Sequence, residues 1–186
     1  MLALEVREAI RKRRSIRKFK PYDLPKDKLL EILEAARLSP SYANTQPWRF
    51  IVVEDEAVKR KLAEVTAHRF LAEASVTIAV LGNEKLAGSS GGIPKRSWLD
   101  MDIGAAIENM LLQATELGLA TCLDGSFRQR EVKRVLKVPE QVRSGDWRVM
   151  VLLSVGLAGE EPAFQERKPL EQLVYLNEFG KPHPGV

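Results

Sequence analysis

Cysteine is almost missing from this sequence. Cys122 is the only one among 186 residues, and histidine is limited to His68 and His183. A lone thiol excludes an intrachain disulfide and a thiolate zinc site, and two histidines so far apart offer no local metal motif, so no metal is expected. Long apolar runs are missing as well. None approaches the roughly 20 residues that a membrane helix needs, and Met1-Leu2-Ala3-Leu4 runs into Glu5 and Arg7 instead of a signal-peptide core. The expectation is a soluble, cytoplasmic protein with no membrane partner. The phosphate loop G-x-x-x-x-G-K-[ST] does not occur, nor does G-x-G-x-x-G after a strand, so any bound nucleotide is held by other means. There are no internal repeats or low-complexity tracts.

What is present is ordinary for a packed core: 45% apolar residues with 12 Gly and 10 Pro. At roughly 150 residues per domain, a single domain over 1–186 is expected. The net charge of +4 is unevenly spread. The first twenty residues hold Arg7, Arg11, Lys12, Arg13, Arg14, Arg17, Lys18 and Lys20 against only Glu5 and Glu8, so the excess lies in one short stretch. A nucleic-acid binder spreads positive charge over a face several phosphates long. A compact anion fits this pattern better, and no nucleic-acid partner is expected.

Periodicity predicts an amphipathic helix over 4–13, a second helix from Pro25 through about 38 with Leu29, Leu33 and Ala36 on one face, and a strand over 48–53. Helices follow over about 55–65 and near 69. Residues 76–81 form a continuous apolar run, a central strand. Residues 83–94, with Gly88, Gly91 and Gly92, read as the most flexible segment and a candidate lid. Residues 98–117 are a long helix with almost no polar face, stopped by Gly118. Strands are predicted over 119–123 and 149–155 with a helix near 130–136 between them, and the proline-rich residues from 156 on read as an extended arm. Helices first, then strands interleaved with a long central helix, give an α+β chain in three layers.

Four stretches could carry chemistry. Arg13, Arg14, Ser15 and Arg17 place three guanidiniums and a hydroxyl within five residues, enough to wrap a phosphate monoester, or else a solvated basic helix end. Residues 39–48 combine hydroxyls, amides and two prolines, a rigid set of neutral donors and acceptors suited to a planar heterocycle, or else a plain helix-to-strand loop. Asp124 and Gly125 follow a strand, where glycine admits a ligand close to the backbone. Arg167 and Lys168 form a second basic pair in the arm. Cys122 lies within an apolar strand and reads as core.

In this order the stretches resemble the nitroreductase family of flavin mononucleotide (FMN) dependent oxidoreductases. The resemblance rests on R-R-S-I-R at 13–17, S-P-S-x-x-N-x-Q-P-W at 39–48, D-x-G-A-A-x-x-N-x-L-L at 102–112, G-L-A-T-C at 118–122 and R-K-P-L at 167–170. It implies a mostly antiparallel central sheet flanked by helices, with a long central helix and a C-terminal arm. It also implies a homodimer with FMN at the subunit interface. Arg13, Arg14, Ser15, Arg17 and Arg167 would hold the phosphate and ring edge. Pro40, Ser41 and Asn44 would reach the flavin bound mainly to the other chain, and Asp124 and Gly125 would lie beside its reactive edge. NADH or NADPH would reduce the flavin, which would pass its electrons to a nitroaromatic, quinone or similar small molecule, with no side chain needed as acid or base in the first step. The same scaffold also fits other reductions, dehalogenation or flavin destruction, and a non-catalytic flavin-binding or RNA-binding role is a different class of reading. One departure stands out: where such proteins often carry an amide and a lysine, this chain reads Ala67-His68-Arg69-Phe70, with Arg69 the candidate substitute. Tyr42, Phe70 and Trp98 are candidates for stacking or for core.

Overall fold

The structure, a computed structural model, describes residues 5–90, 96–140 and 145–186. In chain order it contains α1 (Val6–Lys12), β1 (Phe19–Lys20), α2 (Lys26–Arg37), β2 (Trp48–Val53), α3 (Glu56–Thr66), α4 (Phe70–Glu73) and β3 (Val76–Asn83). Then come α5 (Glu84–Ala87), β4 (Ser89–Ser90), β5 (Arg96–Ser97), α6 (Leu99–Glu116), β6 (Ala120–Asp124), α7 (Gln129–Val135) and β7 (Trp147–Ala158). Short 3-10 turns occupy Tyr42–Asn44 and Leu170–Gln172.

The main sheet runs β2, β3, β7, with the far edge of β7 shared by β6 and β1, and every one of these pairings is antiparallel. All eight residues of β3 are buried, as its unbroken apolar run requires of a strand covered on both faces. Ile78, Val80, Leu153 and Val155 pack toward α2 and α6, where Ile32, Ile103 and Met110 close one core. Ala79, Leu81, Val149 and Leu152 pack on the opposite face with Leu62, Leu71 and Val132 of α3, α4 and α7. Helices, sheet and helices make the three expected layers. A register shift between Val80 and Leu81 opposite Val151 and Val149 bends the central pair. Beside it Gly82 leaves room for Leu99 and Met150, each of which would lie 3.0 Å from an added Cβ.

Three expectations change. The apolar face predicted for the first helix is not buried within one chain: only Ala9 of α1 is buried, while Val6 and Ile10 are 68% and 57% exposed. The long helix α6 is buried along Ile103, Ala106, Ile107 and Met110, but Met101, Gly104 and Glu108 form an exposed strip, one residue per turn. Of the segment read as most flexible, residues 91–94 lie outside the described residues. The rest starts as a helical turn because Asn83 Oδ1 accepts the Lys85 and Leu86 N–H groups, and continues into the β4–β5 pair.

Candidate active site

The first basic motif is fixed through its backbone. Arg13 ends α1 with its N–H on the Ala9 carbonyl at 2.9 Å, and Ser15 then forms a parallel bridge to Thr121 of β6, with Ile16 N–H donating to Thr121 O at 2.9 Å. Buried Ile16 anchors this extended stretch in the core, so Ser15 and Arg17 turn together to the opposite side. The Arg17 N–H donates to Glu160 at 2.7 Å, where the C-terminal arm begins. Arg14 folds back: its guanidinium donates to Arg13 O at 2.8 Å and lies 4.8 Å above the Phe164 ring of the arm. Among the described residues Arg13, Arg14, Arg17 and Arg167 have no ion-pair partner. Arg13 and Arg14 line a cavity of about 450 Å³ with Leu119, Glu160 and Phe164. Arg167 lies three residues past Phe164, exposed, and donates to Gln165 O at 2.9 Å; no described contact joins it to the first motif.

The polar loop at 39–48 is fixed instead by side chains of α6. Asn109 Nδ2 donates to Ser39 Oγ at 2.7 Å and to Ala35 O at 3.2 Å, holding the end of α2. Two turns earlier, Asp102 accepts the Tyr42 N–H at 3.0 Å. Asp102 is buried, its other oxygen has no partner among the described residues, and burial pushes its carboxyl above the usual range against the opposing pull of that N–H. Between these ties the backbone takes an unusual course: Ala43, Asn44 and Gln46 have φ of 47°, 56° and 48°. Ser41 Oγ accepts the Gln46 N–H at 2.9 Å, and Gln46 Nε2 donates to Asn44 Oδ1 at 3.2 Å. Pro40 and Asn44 are exposed and Ser41 is half-buried. The Tyr42 ring stacks on Trp98 at 5.4 Å and 7° between planes.

Asp124 ends β6 and is buried, with Oδ1 accepting the Ser126 N–H at 2.9 Å. Gly125 is exposed, and an added Cβ there would meet nothing within 4 Å. Three residues of extended chain, about 10 Å, separate Asp124 from the Thr121 bridge that holds Ser15. The basic motif and the end of β6 therefore border one surface, while Cys122 between them is buried, its thiol raised chiefly by that burial. Sequence reasoning assigned no role to Asp102, Asn109 or His68. Seven-residue spacing on one helix puts Asp102 and Asn109 on one face and was a usable signal for the first two; His68 meets Asp124 across 56 residues of chain, and nothing local announces that.

Residues 10–74 and 65–157 match the family model described as Nitroreductase family. The chain belongs to the nitroreductase family. A provisionally named NADH dehydrogenase/NAD(P)H nitroreductase of Archaeoglobus fulgidus is 34% identical over 159 residues, covering 83% of this chain and 86% of the relative. The iodotyrosine deiodinase of Thermotoga neapolitana is 27% identical over 91% of this chain and 96% of its own. A crystal structure of a nitroreductase family protein from Clostridium novyi superposes with a TM-score of 0.77 at 28% identity, covering 98% of this chain and 99% of the other. The α+β fold expected from the element order is thus the nitroreductase fold.

Proposed function

We propose that this nitroreductase-family chain is an FMN-dependent oxidoreductase that takes electrons from NADH or NADPH and passes them to a nitroaromatic, quinone or related acceptor, the two substrates binding in turn. The observation that carries the reading is the pair Arg13 and Arg17, held on either side of buried Ile16 with guanidiniums that have no ion-pair partner among the described residues, beside the strand β6 that leads to Asp124 and the open space at Gly125. That arrangement fits a phosphate at one end and a flat ring at the other. Arg13, Arg17 and Ser15 would hold the phosphate, joined by Arg14 on leaving Phe164 and by Arg167 from the arm. Asp124 and Gly125 would border the ring edge. When bound, the flavin supplies hydride chemistry, and the protein supplies position and polarity.

The reading also calls for a second copy. Val6, Ala9, Ala35, Leu38 and Leu112 line a groove of about 390 Å³, and the arm carries exposed Phe164, Leu170, Leu173 and Phe179. An apolar surface of this extent fits burial against a partner chain, which would bring Pro40, Ser41 and Asn44 to the flavin of the other subunit. No helix among the described residues is long and apolar enough to cross a membrane, and the proposed compartment is the cytoplasm.

The deciding experiment is reconstitution. Purified protein mixed with FMN should turn yellow, release FMN on denaturation, and oxidise NADH or NADPH with nitrofurazone or menadione as acceptor. The deiodinase relative makes an iodotyrosine a worthwhile additional acceptor in the same assay. Protein that stays colourless, or turns over with neither nicotinamide, refutes the reading.

A further inference from the structure

His68 and Asp124 come together in a way the proposed electron transfer has not yet used. His68 Nδ1 lies 2.9 Å from Asp124 Oδ2, and both atoms are buried with no other partner among the described residues. The pair is not aligned as a hydrogen bond, but the two atoms face each other at this distance and neither has a hydrogen-bond partner among the described residues. The carboxylate is held from its other side, since Oδ1 already accepts the Ser126 N–H. The imidazole is held as well. The chain leaves α3 through Ala67 in the left-handed region, with φ of 60° and the His68 N–H on Thr66 Oγ1, and the ring stacks on Phe70 at 5.5 Å. Asp124 is 1% exposed and the His68 side chain 38% exposed, so one ring edge is sealed against the carboxylate while the rest of the ring reaches solvent.

A histidine whose Nδ1 is turned to a buried carboxylate has a defined tautomer and orientation, with Nε2 left to face outward. Here that occurs beside Gly125, at the end of the strand whose Thr121 bridges to Ser15. Among the described residues Asp124 is the one carboxylate within ion-pair distance of the ring. Arg17 and Glu160 act on Cys122, two residues back along β6, and Arg69 follows His68 in the chain.

The geometry points to His68 as the proton donor of the acceptor half-reaction, with Asp124 as its positioning residue. This rests on the flavin reading above. Reduction of a quinone to a quinol needs two electrons and two protons. A hydride, whose electron pair comes originally from NAD(P)H, brings both electrons and one proton to the acceptor. The second proton passes from His68 Nε2 to the quinone oxygen, the N–H bond breaking as the O–H bond forms, and neutral His68 recovers a proton from water. The nicotinamide half-reaction needs no such donor.

The test separates the two half-reactions in FMN-loaded protein. Reduced wild type mixed with menadione in stopped flow, from pH ~5 to ~9 where an imidazole titrates, should react more slowly as pH rises through one ionisation. His68→Gln should lower this rate ~100-fold at the acid end and lose the ionisation, while reduction by NADH changes far less. Nitrogen-15 spectra of the two imidazoles, with His183 identified by His183→Gln, should show neutral His68 protonated on Nδ1 in the wild type and not in Asp124→Asn. A His68→Gln enzyme that binds FMN, accepts electrons from NADH and keeps the wild-type menadione profile would overturn the proposal while leaving the flavin reading intact. A neutral ring protonated on Nε2 in the wild type would overturn it too. Wild type that takes up no FMN would remove the flavin reading, and this proposal with it.

Discussion

The two polar motifs are built in opposite ways. The arginine motif is tied down by its main chain, through the Ser15 bridge and buried Ile16, and its side chains stay free of carboxylates. The loop at 39–48 is tied down by side chains reaching in from α6, and its own backbone bends through three left-handed residues. Long cations reach a ligand from a strand some distance away, so a plain extended segment suffices to present them. Short groups such as the Ser41 hydroxyl and the Asn44 amide have little reach, and a chain that must bring them close needs an uncommon path held at both ends. The contrast implies that mutations should separate binding from stability in one motif and merge them in the other.

The largest effect is expected at the arginines. Arg17→Ala or Arg13→Ala should weaken FMN binding by ~2 kcal/mol, or ~30-fold in Kd, while thermal stability moves by less than about 0.5 kcal/mol because exposed Arg17 and half-buried Arg13 hold no ion pair among the described residues. Flavin fluorescence titration beside a melting curve checks both halves. Equal losses in affinity and stability would break the contrast. Next come the two ties on α6. Asn109→Ala or Asp102→Ala should cost ~1–2 kcal/mol of stability by removing the amide that ties Ser39 and Ala35 or by leaving the Tyr42 N–H without its acceptor, and should weaken flavin binding at the same time. An affinity that survives either change would mean the loop holds its shape unaided.

The smallest effect sharpens the contrast through pH. Burial raises the Asp102 carboxyl, so the native state holds that proton more tightly than the unfolded chain does. Its stabilising share is therefore complete below the unfolded value of about 4 and is lost as pH rises through the higher folded value. Asp102→Asn keeps an oxygen for the Tyr42 N–H and has no proton to lose. It should melt close to wild type near pH ~4 and above it near pH ~7, read from denaturation midpoints across that range.

How much was legible beforehand follows the same division. Strand β2 was expected over 48–53 and spans Trp48–Val53, and β3 was recognisable from its apolar run, because burial on one or both faces writes itself into local composition. The first motif was legible because clustered charge is local. The β4–β5 pair was not, since two-residue strands carry no periodicity. The amphipathic helix expected over 4–13 is α1, but its pattern did not say whether its apolar Val6 and Ile10 pack within the same chain, where they are exposed. The meeting of His68 with Asp124 depends on how α3 ends and where β6 stops, which is decided by packing across the sheet and not by either neighbourhood.

Gly88 couples two loops. Its φ is 73°, and an added Cβ would lie 2.9 Å from the Tyr42 ring, which is itself sandwiched toward Trp98. The turn that opens the β4–β5 pair and the loop that carries Asn44 are thus fitted to one another with no space to spare for a single methyl group. Anyone diversifying this enzyme to change its choice of acceptor should treat positions 42, 88 and 98 as one unit and randomise them jointly, because libraries that vary the turn alone will mostly sample damaged loops.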